Sequence, residues 1–120
     1  MAKILIIDDD KVTLMKLKAM LEQAGHDVVE IEDGIYAEQA ITNHKPQLVI
    51  TDIIMPEQEG IDTVMQISEI HPEIPVIAMS GDQLGVNFLE LSKSLGAQES
   101  LRKPIDKDEL LSAVEKLLGA

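Results

Sequence analysis

The stretch Ile4-Leu5-Ile6-Ile7-Asp8-Asp9-Asp10 places four apolar residues directly before three acids. A short apolar run without alternation is typical of a strand that is buried on both faces, as in parallel sheets. Three later apolar runs lead in the same way to Asp52, Ser80 and Lys103. Because parallel strands end at a common edge where ligands bind, we expect these polar side chains to meet in one crevice.

The residue types at this edge indicate a cation and a phosphoryl group. The carboxylates of Asp8, Asp9 and Asp52 offer the oxygen ligands that hard divalent cations prefer. The hydroxyl of Ser80 and the ammonium of Lys103 are donors that suit phosphoryl oxygens beside such a cation. The sequence therefore predicts a site for phosphate chemistry.

Composition limits the remaining possibilities. The 120 residues fit one domain, which we expect to span residues 1–120, and 45% of them are apolar. The net charge of −12 lacks the basic surface that direct nucleic-acid binding needs. No apolar run approaches the roughly 20 residues of a membrane span. There is no cysteine, which is compatible with the reducing cytoplasm, and we expect a cytoplasmic protein.

Apolar periodicity alternates along the chain between strand and helix patterns. The predicted strands are residues 3–7, 27–31, 48–51, 75–79 and 99–102, and the predicted helices are 12–25, 36–43, 61–70, 86–95 and 106–118. Such alternation predicts a doubly wound α/β domain, in which right-handed crossovers cover both faces of a parallel sheet.

Several short motifs occur in a characteristic order. They are the run at 4–10, Thr51-Asp52-Ile53-Ile54-Met55-Pro56, Gly60, Met79-Ser80-Gly81, Gly96-Ala97 and Lys103-Pro104. Together they resemble the receiver domain of bacterial two-component response regulators (the CheY-like domain) over essentially the whole chain. The resemblance implies a flavodoxin-like sheet of five parallel strands in the order 2-1-3-4-5, with five helices.

The resemblance also implies a role for each residue at the sheet edge. Asp52 is the phosphoacceptor, Asp8, Asp9, Asp52 and the backbone carbonyl of Ile54 hold Mg²⁺, Ser80 is the switch hydroxyl, and Lys103 meets the phosphoryl group. The Lys103–Pro104 peptide bond is expected to be cis. Asp10 is interpreted separately, as the cap of the first helix.

A receiver of this kind takes its phosphoryl group from a sensor histidine kinase or a phosphotransfer protein. Phosphorylation would then change its interaction with a downstream target or an output domain, or cause dimerisation through the last helices and the fifth strand. Such a domain catalyses only its own phosphorylation and dephosphorylation. His26, His44 and His71 fall at helix ends or in loops, where surface histidines are common, so we expect the donor to be another molecule.

The sequence departs from the family pattern at a few positions. Ser100 stands where many receivers have an aromatic residue, so an aromatic switch is not carried over. Glu59 replaces a usual aspartate, while Ile54 and Asp82 occupy positions that influence hydrolysis of the acyl phosphate.

Two other functions compete with this interpretation. Asp8-Asp9-Asp10-Lys11-Val12 also matches the opening motif of haloacid-dehalogenase-like phosphatases, with Asp8 as nucleophile and Asp10 as acid. That family needs a further acidic pair after another strand and would leave Asp52 without a role. A pseudo-receiver that only binds partners is the third possibility, against which the complete set of site residues argues.

Overall fold

The computed structural model describes residues 2–53, 60–81, 93–94 and 96–119. Within them strands and helices alternate, as the sequence predicts. The strands are β1 (Lys3–Ile7), β2 (Asp27–Ile31), β3 (Leu48–Asp52), β4 (Val76–Ser80) and β5 (Glu99–Arg102). The α-helices in this part of the chain are α1 (Lys11–Gln23), α2 (Ala37–His44), α3 (Gly60–Ile70) and α4 (Lys107–Leu118), and a 3-10 turn at Gly34–Tyr36 precedes α2.

The five strands form one parallel sheet in the order β2-β1-β3-β4-β5, which confirms the predicted fold class. The last residue of β1, Ile7, lies beside Ile31 on one side and Thr51 on the other. Asp52 pairs with Met79, one residue before the end of β4. The carboxyl ends of β1, β3, β4 and β5 are therefore neighbours, and the polar residues there share one edge.

Aliphatic side chains on the two faces of the sheet form two separate clusters. Successive side chains of a strand point to opposite faces. Ile4 and Ile6 accordingly pack with residues of α1 and α4, while Leu5 and Ile7 pack with residues of α2 and α3. All four are at most 1% exposed. Burial of each such side chain stabilises the fold by about 1.5–3 kcal/mol.

Helix ends follow capping chemistry that is visible in the sequence. Asp10 caps α1, because its Oδ1 accepts the Val12 N–H at 3.1 Å. Asp106 caps α4 and accepts the Glu109 N–H at 3.0 Å. Gly25 follows α1 with φ of 93°, a left-handed backbone that glycine adopts without steric cost.

Some details differ from the sequence prediction. The helix predicted over 12–25 has an apolar pattern that includes Val12 and Met15 together with Leu14, Leu17, Met20 and Leu21, but Val12 and Met15 are 51% and 63% exposed. The buried face of α1 consists instead of Leu14, Leu17 and Leu21, whose spacing of three and four residues forms one stripe. The described residues hold four of the five predicted helices. The fifth, at 86–95, lies outside them apart from residues 93 and 94, so it stays a prediction.

Two glycines let connecting segments approach α3 closely. A Cβ atom on Gly34 would overlap the Thr63 hydroxyl, and one on Gly96 would overlap Ser68. Gly96 also has φ of 112°, where residues with a side chain are strained. These contacts press the segments before α2 and β5 against the same helix.

Two glutamines at the amino edge of the sheet each bond a residue of the neighbouring strand twice. The Gln47 N–H donates to the Lys3 carbonyl at 2.8 Å, and its Oε1 accepts the Lys3 N–H at 3.3 Å. Gln98 makes the same pair of bonds with Val76: the Gln98 N–H donates to the Val76 carbonyl at 3.0 Å, and the Gln98 Oε1 accepts the Val76 N–H at 2.8 Å. A side-chain oxygen thus supplies the acceptor that one more residue of strand would have supplied.

Candidate functional site

The structure brings four of the candidate side chains to the carboxyl edge of the sheet. Asp8 follows β1, Asp52 and Ser80 end β3 and β4, and Lys103 follows β5. Asp8 and Ser80 are 0% exposed and Asp52 is 5% exposed. Burying charged groups is unfavourable unless they are paired, so the charges at this edge must compensate one another.

Lys103 joins the two buried acids. Its Nζ lies 2.7 Å from Asp8 Oδ2 and 2.9 Å from Asp52 Oδ2. The Lys103 N–H donates to the Ser80 carbonyl at 2.8 Å, which continues the pairing of β5 with β4. The Lys103–Pro104 peptide is cis, as the family resemblance implies. One ammonium therefore bridges two carboxylates that are far from it in sequence, Asp8 by 95 residues and Asp52 by 51 residues.

The three consecutive acids take three different positions. Asp8 is buried, and its Oδ1 accepts the Asp10 N–H at 2.9 Å. The Asp9 side chain is exposed. Asp10 turns away toward α1, where it accepts from the Val12 N–H and, at 2.8 Å, from the Thr13 hydroxyl. Only Asp8 and Asp9 therefore face the site, and Asp10 has the capping role that the sequence predicts.

Burial and charge act in opposite directions on the pKa values of Asp8 and Lys103. Burial raises the pKa of Asp8, and the Lys103 ammonium lowers it without cancelling that effect. Burial alone would lower the pKa of Lys103, but the interactions with Asp8 and Asp52 outweigh it and raise the pKa. Burial therefore dominates the pKa of Asp8, while the two carboxylates together dominate the pKa of Lys103.

The oxygen atoms present fit a hard divalent cation. One carboxylate oxygen from each of Asp8, Asp9 and Asp52 lies within 4.8 Å of the other two. Asp8 Oδ2 is buried and lies 2.7 Å from the Lys103 ammonium, which can occupy only one of its two lone pairs. This oxygen therefore keeps a lone pair for a metal. Ile54, the fourth predicted ligand, lies outside the described residues, as do Glu59 and Asp82.

Two serines near this edge have different surroundings. The Ser80 hydroxyl donates to the carbonyl of the next residue, Gly81, at 3.1 Å, a local bond that a better acceptor could replace. Ser100 lies beside Ala78 in the sheet, and its Oγ is buried without a hydrogen-bond partner among the described residues. No aromatic ring stands at residue 100, so the sheet itself carries no aromatic switch at that position.

The surroundings of Asp10 argue against the dehalogenase-like alternative. That mechanism needs Asp10 as a proton donor at the reacting group, but both of its carboxylate oxygens accept hydrogen bonds from the first turn of α1. Those bonds lower the pKa of Asp10, the Thr13 hydroxyl contributing most, and so favour the ionised form. Asp52, which that mechanism leaves unused, contacts Lys103 directly.

Two contacts in the structure are not visible from the sequence pattern. Thr13 supports Asp10, and its only signal is the spacing of three residues after a capping acid. His71 is a second case: its Nε2 lies 3.1 Å from Glu38 and its Nδ1 3.6 Å from Glu73, so it links α2 to the segment after α3 and is not a free surface histidine. None of the helices within the described residues is both long and apolar enough to cross a membrane.

Known sequences resemble this chain along its whole length. A family model for the response regulator receiver domain matches residues 4–115. The chain is 34% identical to Protein PilH of Pseudomonas aeruginosa, with 99% of each covered, and 33% identical to the chemotaxis protein CheY of Bacillus subtilis, with 98% of each covered. It is 32% identical to the DNA-binding transcriptional regulator NtrC of Azospirillum brasilense, but there it spans only 24% of the relative.

Solved structures give the same picture. A response regulator receiver domain protein from Clostridium thermocellum superposes with a TM-score of 0.87 at 32% identity, covering 99% of this chain and 95% of that one. The receiver domain of the Francisella response regulator 1452 superposes with a TM-score of 0.86 at 28% identity, covering 98% and 96%.

Proposed function

Because the chain belongs to the response regulator receiver domain family of two-component signalling, we propose that it accepts a phosphoryl group on Asp52 and works as a phosphorylation switch. The observation that carries the proposal is the bridge of Lys103 between Asp8 and Asp52, at 2.7 and 2.9 Å. It supports the proposal because one ammonium contacts both the proposed nucleophile, Asp52, and a proposed metal ligand, Asp8.

We propose that Asp8, Asp9 and Asp52, together with the Ile54 carbonyl, hold Mg²⁺ at this edge. The support is the fit of three carboxylate oxygens within 4.8 Å and the second lone pair of the buried Asp8 Oδ2, beyond its contact with Lys103. When bound, the ion offsets the repulsion between an anionic nucleophile and an anionic phosphoryl donor. Asp8 and Asp9 serve only to place it.

The chemical step needs little more from the protein than position and charge. An oxygen of the Asp52 carboxylate attacks phosphorus, forming an acyl phosphate as the bond from phosphorus to the donor atom breaks, and the donor keeps that electron pair. Asp52 is already ionised when it reacts, so no general base is required. After transfer, the Lys103 ammonium contacts the negatively charged oxygens of the phosphoryl group. Hydrolysis of the acyl phosphate later returns Asp52 to the carboxylate.

The switch follows from new acceptors at the edge. The phosphoryl group adds about −2 in charge and three strong acceptor oxygens. The Ser80 hydroxyl can exchange its bond to the Gly81 carbonyl for one to a phosphoryl oxygen. Lys103 can likewise exchange a contact with a carboxylate for one with a phosphoryl oxygen. Charge-assisted bonds contribute roughly 1.5–3 kcal/mol each. Because each new bond replaces an existing one, the net gain is the difference between them, and a shift from 1:99 to 99:1 needs roughly 5.5 kcal/mol.

Receiver domains are signalling modules that are generally not enzymes toward other substrates, and they interact with histidine kinases or phosphotransfer proteins and with output domains. We propose the same partners here, with residues 1–120 as one domain. The chain spans nearly all of Protein PilH but about a quarter of NtrC, so a separate target protein and an attached output domain both fit. With a net charge of −12, any action on DNA would pass through another domain.

Phosphorylation of the intact chain by acetyl phosphate tests the proposal. With Mg²⁺ present, the mass should increase by one phosphoryl group, roughly 80 Da, as expected for an acyl phosphate on one residue. Asp52→Ala should gain nothing. Asp27→Ala, which removes an exposed acid at the opposite edge of the sheet, should be labelled like the native protein. Label retained by Asp52→Ala would refute the assignment and direct attention to Asp8.

A further inference from the structure

We propose that Thr13 and Asp10 are positioning residues for the cation site, because they hold the turn that aims Asp8 Oδ2 into it. The inference rests on the proposed function, since it concerns how the chain binds the divalent cation. Neither residue is assigned to bind the ion. Both act through Asp8, which is the ligand they orient.

A continuous series of hydrogen bonds connects α1 to the Asp8 carboxylate. The Thr13 hydroxyl donates to Asp10 Oδ2 at 2.8 Å, and the Val12 N–H donates to Asp10 Oδ1 at 3.1 Å. The Asp10 N–H in turn donates to Asp8 Oδ1 at 2.9 Å. Asp10 takes part in all three bonds, so a movement of Asp10 would change the hydrogen bond that holds Asp8.

The result is that the two oxygens of Asp8 have different surroundings. Oδ1 is held by the Asp10 N–H, while Oδ2 is buried and lies 2.7 Å from the Lys103 ammonium. A carboxylate with one oxygen held presents the other in a fixed direction. A metal that requires near-ideal octahedral geometry, as Mg²⁺ does, gains affinity from a ligand that is already oriented.

Thr13 is needed because the Asp10 side chain is exposed, so water could replace a protein donor at its carboxylate. The capping bond to Val12 uses one oxygen of Asp10, which leaves the other free to turn without the Thr13 hydroxyl. With both oxygens bound, the Asp10 backbone stays extended, with φ of −91° and ψ of 109°. That conformation directs its N–H toward Asp8. Thr13 lines a cleft of about 300 Å³ together with Lys103, the residue whose ammonium contacts Asp8 and Asp52.

Calorimetric titration of the full chain with magnesium chloride tests this inference. Thr13→Val keeps the shape and charge of the residue but loses the hydroxyl, so it should weaken Mg²⁺ binding on the order of tenfold, the lower end of the range for outer-shell partners of metal ligands. Thr13→Ser restores the hydroxyl and should bind Mg²⁺ like the native protein. Thr42→Val makes the same substitution on α2, far from this edge, and should leave the affinity unchanged.

The outcomes separate this inference from the proposed function. Native-like Mg²⁺ affinity in Thr13→Val, or equal losses in Thr13→Val and Thr42→Val, would overturn the positioning role while leaving the receiver chemistry intact. Absence of Mg²⁺ binding by the native protein would overturn both. A weakened affinity in Thr13→Val that Thr13→Ser recovers, with thermal unfolding midpoints alike in all three, would establish the positioning role, because loss of fold could not produce it.

Discussion

Lys103→Met should increase the affinity of the protein for Mg²⁺ and destabilise the metal-free protein. The Lys103 ammonium lies 2.7 Å from Asp8 and 2.9 Å from Asp52, so it contacts the oxygens that a divalent cation would use. Mg²⁺ must therefore bind against a positive charge that is already in place. Methionine is unbranched and of similar length, so it fills the space of the lysine stem without that charge.

The size of the effect follows from Coulomb's law. Charges of +1 and +2 about 5 Å apart repel by about 1.7 kcal/mol even at the dielectric constant of bulk water. Because 1.4 kcal/mol corresponds to a factor of ten in a binding constant, the affinity for Mg²⁺ should rise about tenfold or more. Without metal, the variant loses the ion pairs of Lys103 with Asp8 and Asp52. Since Lys103 is 21% exposed, the cost should be about 1–3 kcal/mol, less than for a fully buried pair.

Magnesium titration by calorimetry and thermal unfolding with and without Mg²⁺ measure the two effects. A ligand that binds only the folded state stabilises it more as its affinity rises, so Mg²⁺ should raise the unfolding midpoint further in the variant than in the native protein. Lys107→Met is the control, because its Nζ contacts the Gln23 side chain at 3.4 Å and it makes the same change in charge. Equal or weaker Mg²⁺ binding by Lys103→Met would refute the idea that the ammonium competes with the ion.

Two further predictions concern stability. Asp8→Asn should raise the unfolding midpoint of the metal-free protein by a few degrees at neutral pH, because burial raises the pKa of Asp8 and the amide carries no charge. Because the pKa of Asp8 in the folded protein is above its unfolded value of about 3.8, the protonated carboxyl contributes its full stability below pH 3.8 and loses it as the pH rises through the folded pKa. The difference between the unfolding midpoints of the variant and the native protein should therefore close as the buffer is acidified. A difference that stays constant with pH would contradict this. Gly34→Ala should lower the free energy of unfolding in urea by about 1–3 kcal/mol, because its Cβ would overlap the Thr63 hydroxyl. The same substitution should cost less in a Thr63→Ala background, and an equal cost would exclude the overlap as the cause.

The strands were the most predictable part of the fold. Residues 27–31 and 99–102 are strands with the predicted bounds, because turn-forming glycines and prolines lie close to their apolar runs. The candidate residues could be placed at one edge, since each directly follows or ends a strand. The strand order did not come from periodicity, which contains no information about neighbours. It came from the family resemblance, and the observed pairing confirms it.

Side-chain directions could not be predicted to the same extent. Sequence reasoning treated Val12 and Met15 as part of an apolar stripe, yet the sheet contacts a narrower face of α1. It named both Asp8 and Asp9 as metal ligands but did not predict that Asp8 is buried and Asp9 is exposed. Which oxygen of Asp8 remains available depends on a hydrogen bond from Asp10, and no spacing rule gives that geometry.

The glutamines at the amino edge have a consequence for the opposite edge. Gln47 aligns β3 with β1, the strands that lead to Asp52 and Asp8, and Gln98 aligns β5 with β4, which lead to Lys103 and Ser80. A strand rises about 3.3 Å per residue, so a slip of one residue would exceed the length of a Lys103–carboxylate contact. It would also turn every side chain of the strand to the other face. Two amide side chains at one end of the sheet therefore keep the four candidate site residues at the same height at the other.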